Sequence, residues 1–294
     1  METLTAFKEY LLNEKRSSDN TVQSYLRDVG QYLEYCAKVP GYNYLDASAA
    51  DLQHYLDYLS SIGKSEATCT RMLASARCFY KYLAFKGKSK ANPAEGIKMQ
   101  KHIPKLPGVL EANEVMKLLS QPSGNDYKSI RDKAMLEILY ATGMKVSELM
   151  ELELSDVNLQ IGIVHIKDTR SERIVPLYPA AVKAVSNYLL NVRPAIVIDE
   201  SCVRFFTNMN GQPMSRQGFW KIIKHYSEAA GIKKDITPHT LRHSFAAHLL
   251  ENGAQLKYIK EMLGHSDVSS TQIYAQFVKS KYTADYTRFH PLAK

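Results

Sequence analysis

Cysteine is scarce in this 294-residue chain, and the four present (Cys36, Cys69, Cys78 and Cys202) are not spaced as a metal-binding or redox pair. They read as reduced, mostly buried thiols, which points to the cytoplasm and excludes a disulfide scaffold. No apolar run approaches the roughly 20 residues needed to cross a bilayer. The opening Met1-Glu2-Thr3-Leu4-Thr5-Ala6-Phe7-Lys8 lacks the apolar core of a signal peptide. Internal repeats and low-complexity tracts are also missing. What is abundant is positive charge: 38 Lys and Arg against 30 Asp and Glu give a net charge of +8. An anionic partner follows, and with no membrane span that partner is nucleic acid. The length allows two domains, each able to bury its own core.

The first part reads as four helices. Leu4, Phe7 and Leu11 mark one amphipathic stripe. Val22, Leu26, Val29, Leu33 and Cys36 repeat at helical spacing after the cap candidates Ser18 and Asp19. Ser48 with Asp51 forms a capping-box pattern ahead of Leu52, Leu56 and Leu59. Ser65 opens a fourth helix with Met72, Ala76, Phe79 and Leu83 inward. Short connections make these a bundle. Thr70, Arg77 and Lys81 share an outward stripe, as do Asn20, Ser24 and Arg27, and such faces suit phosphate and groove contacts. From Gly87 to Val109 three prolines stand among five lysines, a basic extended linker.

The second part opens with a helix from Glu111 to Ser120 and a longer one from Ile130 to Tyr140. A two-stranded segment follows, Ile161 to Ile166 and Arg173 to Leu177, with the turn between them. Pro179 starts another helix, and one more runs through Phe219, Trp220, Ile223 and Tyr226. Thr237-Pro238-His239-Thr240-Leu241-Arg242-His243 then opens a helix, and a short one from Leu256 stops at Gly264, a helix terminator. His239 and Arg242, three apart, share one face. His265 and Tyr274 follow. Two imidazoles, a guanidinium and a phenol suit a phosphate attacked by tyrosine: cations neutralise the non-bridging oxygens while the phenolate forms a covalent intermediate.

His-x-x-Arg-His, then Leu263-Gly264-His265, then a tyrosine nine residues on, resembles the C-terminal signature of tyrosine recombinases (the phage integrase family). The wording from Thr237 to Leu250 is most like their Xer-type branch. The resemblance implies a mainly α protein with the DNA-breaking-rejoining fold. A four-helix, SAM-like core-binding domain would occupy 1–86, a basic linker 87–109, and a catalytic domain with a small antiparallel sheet 110–290. It implies site-specific recombination of double-stranded DNA by a C-shaped clamp, through a 3′-phosphotyrosine, with no metal, ATP or other cofactor. Tyr274 would be the nucleophile, with Arg242, His239 and His265 the phosphate cage and Glu148 its brace. Arg77, Lys81, Arg27 and Thr70 would contact DNA. Four like or unlike protomers would assemble on two sites, the tail carrying Tyr282, Tyr286 and Phe289 into a neighbour in a closing ring. Whether the outcome is chromosome dimer resolution, integration or inversion is left open.

Two positions depart from the pattern. Ala141-Thr142-Gly143-Met144-Lys145-Val146-Ser147-Glu148-Leu149 has Lys145 where the family carries its first arginine, and lysine lacks the planar fork. In the turn, the family's lysine falls on Asp168, with Lys167 beside it and Arg170 further along. A one-residue shift of the turn would let Lys167 protonate the departing 5′-oxygen. The alternative is a catalytically impaired paralogue that only binds recombination sites.

Overall fold

Three serines fix where the first helices begin. In a computed structural model describing residues 2–89, 91–98, 108–168, 171–199, 201–264 and 274, the chain divides into two units, Met1–Pro104 and Lys105–Lys294. The first holds α1 (Glu2–Asn13), α2 (Asp19–Lys38), α3 (Ala49–Ser61) and α4 (Glu66–Phe85). Ser18, Ser48 and Ser65 accept the N–H of Thr21, Asp51 and Thr68, donors that have no partner within a helix's first turn. Asp51 returns a bond from the Ser48 N–H at 2.9 Å, completing the box. Phe7, Leu11, Val29, Leu52, Leu56, Met72, Phe79 and Leu83 are buried together. Asp28, also buried, ties α2 to α4 by accepting from Ser75 Oγ at 2.7 Å and from Arg71.

The second unit begins with α5 (Ala112–Ser120) and α6 (Tyr127–Thr142). Ala134, Met135, Leu136, Ile138 and Leu139 of α6 are fully buried, and with Arg131, Asp132, Glu137 and Thr142 also buried the helix is enclosed on nearly every side and forms the centre of the unit. α7 (Val146–Glu151) and one 3-10 turn (Leu154–Asp156) lead to an antiparallel sheet of β1 (Val157–Asn158), β2 (Ile163–Ile166) and β3 (Arg173–Pro176), in that order. The two long strands lie where the sequence puts them. The third, two residues long, is too short to leave an alternating signature.

In the hairpin Ile166 pairs with Arg173 and Val164 with Val175, and all four side chains are buried on one face. α8 (Pro179–Asn187) widens into a π turn (Tyr188–Val192) before α9 (Arg193–Ile196). α10 (Arg216–Ala229), α11 (Pro238–Glu251) and α12 (Leu256–Leu263) complete the described residues up to Gly264. Ser244 and His248 of α11 hold the start of the unit: Leu110 N–H donates to Ser244 Oγ at 2.9 Å and Leu110 O accepts from His248 Nε2 at 2.8 Å.

Candidate active site

Two helix C-termini build the site. α6 ends on Gly143 with φ +58°, where an added Cβ would stand 2.3 Å from the Phe245 ring, so only glycine closes the helix there. Its carbonyl accepts from Arg242 Nη1 at 2.6 Å. α12 ends on Gly264, and its last carbonyls serve two arginines. Leu263 O accepts from Arg242 Nη2 at 2.6 Å and Met262 O accepts from Arg173 Nε at 2.6 Å. A helix's final carbonyls lack intrahelical donors and carry the negative end of the dipole, so they hold guanidinium groups well. Arg242 is 4% exposed. Burial lowers its proton affinity and Glu148 raises it again, yet a guanidinium stays charged.

Glu148 links this frame to Lys145. Its two oxygens take a fork from Arg173 Nη1 and Nη2 at 3.1 and 2.8 Å. It also caps α7 by accepting the Lys145 N–H at 2.6 Å, and Lys145 Nζ stands 3.3 Å from it. Burial pushes the carboxyl up, but the Arg173 bonds, the Lys145 N–H and both positive charges together hold it below its ordinary value. The second neighbour of Lys145 is Asp168, whose Oδ2 lies 2.8 Å from Nζ.

Tyr274 is 1% exposed, packed with Phe245, Ala246, Ile259 and Leu263. Its hydroxyl lies 2.8 Å from Nδ1 of His243. Burial, then the charges of His239 and Arg242, push the His243 imidazole down to about 4, so it is neutral near pH 7, and with its proton on Nε2 its Nδ1 accepts from the phenol. Burial raises the Tyr274 phenol and Arg242 opposes it. The imidazole bonded to the tyrosine is therefore His243, which the sequence reading left without a role. His239 is exposed on the first turn of α11, its ring centre 6.4 Å from that of His243. The available signal was its place four residues after His239, on the same stripe of the helix.

Lys167 is a correction. Ile166 points inward, so alternation sends Lys167 to the opposite face and Asp168 back toward the site. Lys167 Nζ pairs with Asp156 at 2.6 Å and Glu153 at 3.7 Å, while Asp168 is the residue that meets Lys145. Arg77 also differs from expectation. Its guanidinium donates to Ala94 O at 3.2 and 3.1 Å and to Ile97 O at 3.1 Å, fastening the chain after α4 rather than standing open on a DNA-facing stripe. Arg27, Thr70 and Lys81 are exposed. His265, Arg170 and the tail with Tyr282, Tyr286 and Phe289 lie outside the described residues, as do positions 90 and 99–107 of the basic linker.

Residues 108–281 match the phage integrase family, and residues 4–87 match the phage integrase N-terminal SAM-like domain. Curated relatives include the protein named tyrosine recombinase XerD of Halalkalibacterium halodurans, 42% identical over 99% of this chain and 98% of that one. The protein of the same name from Staphylococcus aureus is 40% identical over the full length of both. Among solved structures, the XerH site-specific recombinase bound to palindromic difH substrate aligns with a TM-score of 0.78 at 20% identity, over 93% of this chain and 81% of that one. The Tn1549 transposon integrase in complex with circular intermediate DNA aligns at 0.76 and 18%, over 95% and 98%. The fold is theirs. Two family matches spanning both units, and relatives at 40% identity end to end, show that this chain belongs to the phage integrase family of tyrosine-type site-specific recombinases.

Proposed function

We propose that the protein cuts and rejoins double-stranded DNA at specific sites through a 3′-phosphotyrosyl link to Tyr274. The observation that carries this is the Tyr274 hydroxyl, 2.8 Å from the Nδ1 of a neutral His243, which itself directly follows the buried Arg242 on α11. In this reading the phenol oxygen attacks the scissile phosphorus as its proton passes to His243 Nδ1, and the 5′-oxygen leaves. Arg242 has five N–H donors; two are committed to Gly143 and Leu263, which fixes the plane in which the rest meet the non-bridging oxygens. Lys145 adds positive charge, His239 and His265 complete the cage by their place in the motif, and Glu148 with Arg173 braces it. The free 5′-hydroxyl of a partner strand reverses the step, so the phosphotyrosine conserves the bond energy.

Arg27, Thr70 and Lys81 would supply phosphate contacts from the first unit, and four protomers, like or unlike, would bring two sites together. Retention of Tyr274, Arg242 and His239 in a chain so similar to curated recombinases favours this over a paralogue that only binds DNA. A duplex nicked close to the cut site, whose short 5′ fragment diffuses away after cleavage, traps the intermediate. The wild-type protein should give a covalent protein–DNA band and Tyr274→Phe should bind DNA without one. An adduct that persists in Tyr274→Phe overturns the assignment, as does a wild type that binds its site and never forms one.

A further inference from the structure

A departing 5′-alkoxide is nearly as basic as hydroxide, whose conjugate acid has a pKa of about 15.7, so the reaction proposed above needs a proton donor. The described residues of the site leave few candidates. Arg242 and Arg173 do not release protons in proteins. His243 is neutral and its Nδ1 faces the nucleophile. Lys167 is held by Asp156 on the opposite face of the hairpin. His239 stands beside His243, on the side of the attacking oxygen, whereas the leaving oxygen departs in line on the far side of the phosphorus.

Lys145 remains, and its surroundings are those of a positioned donor. It starts at the first turn of α7, but its ammonium is drawn to the hairpin turn by Asp168 at 2.8 Å and steadied by Glu148 at 3.3 Å. Asp168 engages one of its three N–H bonds and Glu148 attracts the ammonium as an ion pair, so two carboxylates hold its position while N–H bonds remain to meet the leaving oxygen. Glu148 is itself clamped by Arg173, so the arrangement does not rest on a flexible stem alone.

We propose that Lys145 is the proton donor to the departing 5′-oxygen and that Asp168 is the residue that positions it. The inference rests on the Tyr274 chemistry proposed above. In the step, the bond from the Tyr274 oxygen to phosphorus forms, the bond from phosphorus to the 5′-oxygen breaks, the tyrosine's proton goes to His243, and one ammonium proton goes from Lys145 to the 5′-oxygen. Lys145 is left as a neutral amine until the cycle reverses.

The test compares nicked substrates carrying an ordinary 5′-oxygen at the cut with substrates carrying a bridging sulfur there, because a thiolate leaves without a proton. Lys145→Ala should cleave the oxygen substrate about 100-fold or more slower than wild type, and should return to within about 10-fold of wild type on the sulfur substrate. Lys145→Arg keeps the charge but holds its protons, so it should show the same split. Asp168→Asn should show a smaller loss, again confined to oxygen. Gel-shift affinity for the intact site, measured on each variant, separates lost chemistry from lost folding. Equal losses of Lys145→Ala on both substrates would make Lys145 a phosphate grip and overturn the proposal, as would undiminished cleavage of the oxygen substrate. A wild type that forms no Tyr274-dependent adduct on either substrate sinks the recombinase mechanism itself, a distinct result.

Discussion

Glu148→Ala tests whether the brace is as central as its contacts imply. The Glu148 and Arg173 side chains are each 6% exposed. Removing the carboxylate leaves a buried guanidinium with backbone carbonyls alone, which typically costs about 3–5 kcal/mol. The N-terminal cap of α7 is lost with it, at about 1 kcal/mol more. Against a total stability of about 5–15 kcal/mol this is a large fraction. The chain has one tryptophan, Trp220, on α10 of the second unit, so its fluorescence in urea reports that unit selectively. With a slope of about 1–3 kcal/mol per molar urea, the midpoint should fall by more than about 1 M. Glu148→Leu combined with Arg173→Met, which removes both charges, should be more stable than Glu148→Ala, because a buried pair contributes little beyond an apolar one of like volume. The carboxyl's folded value lies below its unfolded one, so its contribution is complete above about pH 5 and fades as pH drops through the folded value. The wild type should therefore lose its margin over Glu148→Ala in acid. A single mutant within about 1 kcal/mol of wild type at pH 7 would refute the account.

His243→Phe should slow formation of the covalent adduct by about 100- to 10,000-fold at pH 7, read by single-turnover trapping, while leaving affinity for DNA near wild type. The folded His243 value, about 4, lies below the ordinary 6.5, so the unfolded chain binds more protons between these values and stability falls as pH is lowered across that window. Urea midpoints of wild type should drop from pH 6.5 to 4 more than those of His243→Phe. Lys81→Ala should make the log–log dependence of DNA binding on salt shallower by about 0.9, the share of one neutralised phosphate. Arg77→Ala should instead loosen the 91–98 segment, seen as faster amide exchange at Ala94 and Ile97 neighbours.

Much of the architecture was legible because local chemistry specified it. Ser18, Ser48 and Ser65 mark helix starts by hydrogen bonds that reach only three residues, and Gly264 marks a stop by its backbone alone. Such signals survive without tertiary information. Other boundaries were longer than the apolar stripe suggested. α6 begins at Asp126's cap and runs to Gly143: the cap starts it with the polar turn Tyr127–Ser129 ahead of Ile130, and the small buried Ala141 and Thr142 carry it past Tyr140. Arg173 was read as a strand residue only. Its parity with Val175 places it on the buried face, which for an arginine demands a partner. His239 and His243 were harder, being one turn apart on one stripe. Burial, a property of the whole fold, decides which of them meets Tyr274.

The two departures from the family motif were separate anomalies in the sequence, 23 residues apart. One replaced an arginine with a lysine; the other replaced a lysine with an aspartate. Each alone reads as damage: a lost fork at one position, a lost cation at the other. In the structure the two side chains are bonded to each other. An arginine at 145 beside Asp168 would be a guanidinium that cannot give up a proton. Lysine at 145 beside lysine at 168 would be two ammonium groups in repulsion. The combination present keeps one ammonium at the hairpin turn and one carboxylate to hold it, at the expense of a site two unit charges less positive than the motif would make it. In the proposed mechanism the electrostatic grip on the phosphate would then fall more heavily on Arg242, and that guanidinium's anchoring by Gly143 and Leu263 would matter more here than the motif alone would suggest.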